Sequence, residues 1–176
     1  MNKTIAKEML PELWARLSSC GTLFLPLREG PVVLFQPWYE EAEVDLEAVN
    51  TVVSPKDLFL PRDEAYLHYR RKGQKLEFIE AGDPGPVIAF GVHPCDLRAA
   101  AMLDRVFLEQ DPVDDLYQKR RDNTTVVVLA CREPDPFCFC RDFGVDPADA
   151  PRADIMAFFP DSRSYWSRER LRVKHW

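Results

Sequence analysis

Ile5, Met9, Leu13 and Leu17 recur every four residues, with Leu10 and Trp14 beside them, and this spacing predicts an amphipathic N-terminal helix. Pro11 falls inside the pattern, where its missing N–H predicts a kink or the start of a second helix. Gly21 supplies a stop. Thr22–Leu27 and Val32–Phe35 predict two strands joined by the turn Arg28-Glu29-Gly30-Pro31, a hairpin. Residues 37–50 are acidic and read as mostly irregular. Ser54-Pro55-Lys56-Asp57 sets a serine at an N-cap and a proline at the first helical position, which starts a short helix. Tyr66–Arg70 and Leu76–Ile79 predict another strand pair, turning near Lys72-Gly73. Leu76 and Phe78 alternate there with charged residues, so one face is expected to be wet.

The character changes after Gly82-Asp83-Pro84-Gly85-Pro86. Val87–Val92 is an unbroken apolar run, the pattern of a strand buried on both faces. Pro94 precedes a strong helical pattern of Leu97, Ala100, Ala101, Leu103, Val106 and Phe107, and a second short helix is expected over Val113–Arg121. Thr124–Ala130 is the most apolar β-branched run in the chain, and Asp154–Phe159 predicts a third strand. Strand, helix and strand form a βαβ unit. The expected fold class is therefore mixed α/β (α+β): an N-terminal helix and antiparallel strands leading into a small parallel βαβ core. Residues 1–160 are expected to form one domain. Residues 161–176 are expected to be a basic, divergent tail without a strand pattern.

Composition narrows the function classes. The chain has 176 residues, 46% apolar and 30% charged, the profile of a globular core. Its formal net charge of −6 argues against nonspecific nucleic-acid binding and suits a basic partner. The N-terminus lacks the apolar stretch of a secretory signal, and no run approaches the roughly 20 apolar residues of a membrane span. The expected location is cytoplasmic, without membrane insertion. Cysteines stay reduced there, which favours metal or redox roles over disulfides.

Four of the five cysteines fall in two segments that follow expected strands: Cys95 in Gly91-Val92-His93-Pro94-Cys95-Asp96, and Cys131, Cys138 and Cys140 in the proline-rich stretch after the 124–130 run. Cys20 is left as a bystander. Loops beyond the carboxyl ends of adjacent parallel strands, about 4.8 Å apart, can reach one site. Four thiolates are the usual shell of an iron–sulfur cluster or a structural zinc. Cys95 at a helix N-terminus is expected to have a lowered pKa. Arg132 and Arg141 are expected to offset the charge of the site, and Phe137, Phe139 and Phe143 to shield it from water. The spacing Cys-x6-Cys-x-Cys matches neither paired zinc knuckles nor the ferredoxin Cys-x2-Cys-x2-Cys run. Cys95 and Cys131 also suit the role of small buried hydrophobes. A non-redox interaction domain with zinc or no metal therefore stays open as the alternative. The absence of Cys-x-x-Cys weighs against a thiol-redox enzyme.

The same residues carry a resemblance. Gly91-Val92-His93-Pro94-Cys95-Asp96-Leu97-Arg98-Ala99 is followed by Asp104, Phe107, Asp111 and Tyr117, then by Arg120-Arg121. Cys131-x-x-Pro134-x-x-x-Cys138-Phe139-Cys140 and Gly144-Val145-Asp146-Pro147 come next. Together with Ser54-Pro55-Lys56, Leu58-Phe59-Leu60-Pro61 and Glu64, they resemble the iron–sulfur beta subunit of sulfhydrogenases, a group that includes the corresponding component of anaerobic sulfite reductase. The resemblance covers roughly residues 5–155. It implies an electron-transfer subunit, with no catalytic site of its own. Its place would be between a subunit that binds flavin and NAD(P) and a catalytic hydrogenase or sulfite reductase subunit. By position it implies Cys95, Cys131, Cys138 and Cys140 as ligands of an iron–sulfur cluster, of 4Fe-4S type.

Two departures qualify the resemblance. The family continues into two ferredoxin-type cysteine motifs that this sequence lacks, so a truncated or frame-shifted member is expected. His93 stands where the family loop is expected to carry Arg. Other candidates have bland readings beside them. His93 reads as a polar loop residue more readily than as a ligand, and Lys56 at a helix start is a weak phosphate- or partner-binding candidate. His68 reads as a surface residue. No G-x-G-x-x-G supports a dinucleotide site.

Overall fold

The structure, a computed structural model, describes residues 2–65, 67–80, 82, 85–159 and 170–175. Tyr66, expected to open a strand, and residues 161–169 and 176 of the expected tail lie outside them.

Among the described residues, seven strands form one mixed sheet. They are β1 (Asn2–Ala6), β2 (Thr22–Glu29), β3 (Val32–Pro37), β6 (Val87–Val92), β7 (Thr124–Leu129), β8 (Ile155–Phe158) and β9 (Arg170–His175), in the order β1-β9-β8-β7-β6-β2-β3. The strands β2, β6, β7 and β8 run parallel, and antiparallel neighbours flank them on both sides. A separate two-stranded ribbon joins β4 (Leu67–Lys72) to β5 (Lys75–Glu80). The expected mixed α+β class and its parallel βαβ core are present.

The apolar runs explain the layering, because successive strand residues face opposite sides. On one face Ala89, Val92, Val126, Val128 and Met156 pack against Leu97, Ala100 and Tyr117. These come from α2 (Pro94–Phe107) and α3 (Asp115–Asn123). On the other face Leu23, Leu25, Leu27, Ile88, Phe90, Val127 and Leu129 pack around Trp14 of α1 (Leu10–Ser18). Trp14 meets Phe90 edge-on, their ring centroids 4.7 Å apart.

Three expectations need correction. Ile5 belongs to a strand, not to the N-terminal helix. It pairs with Leu171 of β9, a partner remote in sequence that no local periodicity reveals, and Pro11 instead sits in the first turn of a shorter α1. The β4–β5 ribbon is exposed on both faces, not one, since no described element buries either of them. Residues 170–175, inside the stretch expected to lack a strand pattern, form β9 between β1 and β8.

Gly91 directs the chain out of β6. The register against β7 shifts between Phe90 and Val92, a bulge, so both residues are buried yet on opposite faces of the sheet. Gly91 has φ of +92°, and a Cβ there would stand 3.0 Å from Pro26 Cδ. The bulge delivers the chain into the turn that opens α2.

Candidate metal-binding site

The thiols emerge where parallel α/β sheets place their sites, beyond the strand carboxyl ends. Cys95 is the second residue of α2, whose N-cap His93 follows β6 directly. Cys131 lies two residues after β7. Cys20 follows α1 and precedes β2, at the opposite, amino end of the parallel strands.

Backbone bonds shape the second loop. The Cys131 amide donates to the Pro147 carbonyl at 2.9 Å, and the Val145 amide donates to the Cys140 carbonyl at 2.8 Å. The Cys138 amide donates to the Asp135 carbonyl at 3.0 Å. In return the Asp135 amide donates to Cys138 Sγ at 3.2 Å, the kind of N–H···S contact that supports thiolate sulfur.

These loops bring the four expected cysteines into one electrostatic group. Cys95 interacts with Cys131 and lies within hydrogen-bonding reach of Cys140. Cys131 interacts with both Cys140 and Cys138. All four are free thiols. Among the described residues, no three His, Cys, Asp or Glu side chains are drawn tightly enough to hold a metal ion. Four thiol donors are the shell of an iron–sulfur cluster and of a structural zinc alike.

The expected lowering of the Cys95 pKa does not occur. Burial, the neighbouring Asp96 carboxylate and the Cys140 and Cys131 thiols push it up to about 12. Burial and the adjacent thiols push Cys131 up to about 11. The helix N-terminus is outweighed because burial, and then the neighbouring carboxylate and thiols, disfavour the thiolate. A set of this kind loses its protons together with cation binding.

The aromatic residues also differ from expectation. Phe137, Phe139 and Phe143 are 82%, 64% and 70% exposed, so they face solvent and do not shield the thiols. Arg132 turns toward Glu47, 3.4 Å away, and toward the Phe159 ring. Glu47 also pairs with Lys7 at 3.2 Å, which ties the segment after β3 across the strand ends. Beneath that segment a cavity of about 230 Å3 is lined by Leu46, Ala48, His93 and Cys131.

Sequence reasoning gave no role to Asp96. Its carboxyl is raised by burial, against the pull of His93, Lys56 and the Ser54 hydroxyl. Lys56 therefore lies near enough to Asp96 to favour its charge, and Ser54 also caps the Pro55–Leu58 turn. The Cys-Asp pair at a helix start was the available signal. His93 is lowered by burial, so its imidazole is neutral at pH 7 and lines the cavity beside Cys131.

Fold and site together define a mixed α+β domain, four of whose five cysteines gather at the carboxyl end of its parallel strands. The chain is 35% identical over 140 residues to sulfhydrogenase 2 subunit beta of Pyrococcus furiosus. The match covers 79% of this chain and 40% of that protein. This similarity supports the sulfhydrogenase beta-subunit family for the shared region. No family profile and no solved structure matches the chain.

Proposed function

We propose that the chain is an electron-transfer component of a multi-subunit oxidoreductase of hydrogenase or sulfite reductase type, holding an iron–sulfur cluster on Cys95, Cys131, Cys138 and Cys140. The observation that carries this reading is the gathering of four thiols from two strand-end loops, with Cys131 interacting with each of the other three. The similarity to a sulfhydrogenase beta subunit supports it. Such a cluster supplies one-electron chemistry. The chain's own part is to present the sulfurs, donate the Asp135 amide to Cys138 and keep a neutral imidazole beside Cys131.

The partners in this reading are the catalytic subunit of the complex, of hydrogenase or sulfite reductase type, together with the one that binds flavin and NAD(P). No helix among the described residues is long and apolar enough to cross a membrane.

The test is anaerobic purification or reconstitution, followed by iron and acid-labile sulfide analysis and low-temperature EPR of the reduced protein. About four iron and four sulfide per chain are expected for a 4Fe-4S cluster. One zinc, or no metal after reconstitution, would sink the reading.

A further inference from the structure

The β4–β5 ribbon and a groove beside α1 are complementary surfaces. Residues opposite each other in a ribbon point to the same side. Tyr69 lies opposite Phe78, and Leu67 and Leu76 fall on that same face. These four side chains are 49–73% exposed. Among the described residues the ribbon's substantial packing is confined to its own two strands. An isolated two-stranded ribbon is marginally stable in water, so it gains from a surface that covers it. Arg70, Arg71, Lys72 and Lys75 make it basic on a chain of net charge −6. Glu77, 3.4 Å from Lys72, and Glu80 offset two of these four, which leaves the ribbon a basic surplus.

The groove has the opposite character. About 440 Å3 lies open between α1 and the segment after β3, lined by Leu10, Trp14 and Trp38 with Glu40 on its wall. Five carboxylates lie within residues 40–47. Arg28 pairs with Glu43 and Asp45, and Lys7 and Arg132 pair with Glu47. No described cation pairs with Glu40 or Glu41, so the rim keeps a negative surplus. The volume lies in the range of about 300–1,000 Å3 typical of occupied pockets.

We propose that the ribbon of one molecule docks in this groove of a second copy, Tyr69 and Phe78 against Trp38, with the basic ribbon residues beside Glu40 and Glu41. The contact is heterologous: each molecule offers a ribbon at one place and a groove at another. It needs no metal, so it stands or falls apart from the cluster reading.

Sedimentation velocity of the full chain, over a concentration series at low and high salt, reads the association directly. Self-association that weakens with salt is expected. Phe78→Asp on the ribbon and Trp38→Asp in the groove should each raise the dissociation constant about tenfold or more, as loss of a central aromatic anchor does. Mixed together, the two variants should form a one-to-one dimer, because one intact groove and one intact ribbon remain between them. Glu40→Lys serves as the groove variant if Trp38→Asp fails to fold by circular dichroism. A wild-type chain that stays monomeric throughout would overturn the proposal. So would variants that associate like wild type, or a mixture of defective variants that stays monomeric.

Discussion

Arg121 grips Asp104 with two hydrogen bonds, Nε to Oδ1 at 2.8 Å and a terminal guanidinium nitrogen to Oδ2 at 3.0 Å. The Tyr117 hydroxyl adds a third, donating to Oδ1 at 2.6 Å. These bonds join α3 to α2, and Arg121 also lies over the Phe59 ring. The residues between the two cysteine segments that resemble the family therefore brace the helix pair that carries Cys95.

That brace gives the fold an acid-sensitive component. Burial alone would raise the Asp104 pKa, but the bonds from Arg121 and Tyr117 outweigh it and hold the carboxyl below its ordinary value. Its stabilising contribution is complete above the unfolded-state pKa of about 4 and is lost as pH falls through the lower folded value. Asp104→Asn should cost about 2 kcal/mol at neutral pH and flatten the acid side of the stability profile. Urea unfolding across a pH series measures both. An acid limb as steep as in wild type would assign that dependence to other groups.

The position of the thiols makes a selective prediction. Cys140→Ala should abolish most iron binding, since Cys140 interacts with both Cys95 and Cys131. Cys20→Ala, at the other end of the sheet, should leave iron unchanged. Iron analysis after anaerobic reconstitution decides; equal losses in both variants would contradict the four-ligand assignment.

Gly91 links strand geometry to the site. Gly91→Ala forces a side chain into a positive-φ conformation against Pro26, at a cost of about 1–3 kcal/mol. Because the bulge feeds directly into the turn before Cys95, iron uptake should fall as well. Denaturant unfolding combined with iron analysis tests this, and normal values in both would show that the bulge tolerates a Cβ.

The exposed aromatics allow a test of the opposite kind. Replacing Phe137, Phe139 and Phe143 together with Ser should change stability by no more than about 0.5 kcal/mol per site, the range for surface positions. Thermal unfolding reads this, and a large drop in midpoint would place these rings in the core after all.

The parts legible in the sequence were those whose cause is local. Val87–Val92 and Thr124–Leu129 are apolar at nearly every position because the sheet is covered on both faces, and the proline before Cys95 marks the start of α2. What escaped depended on distant partners. Ile5 sits on a helical period yet becomes a strand through pairing with Leu171. Gly21 read as a helix stop, but it also permits close approach to the Pro86 carbonyl, where β2 runs beside β6. The grouping of Cys95 with Cys131 followed from strand order. The direction of their pKa shifts did not, because burial and mutual repulsion depend on how closely the loops converge.

The bond from the Cys131 amide to the Pro147 carbonyl closes the intervening loop into a collar with a fixed neck. Three of the four thiols sit on that collar, while the sheet supplies only its mounting. In the proposed cluster reading the collar is tied to the rest of the fold at two places, this neck and Cys95 at the start of α2.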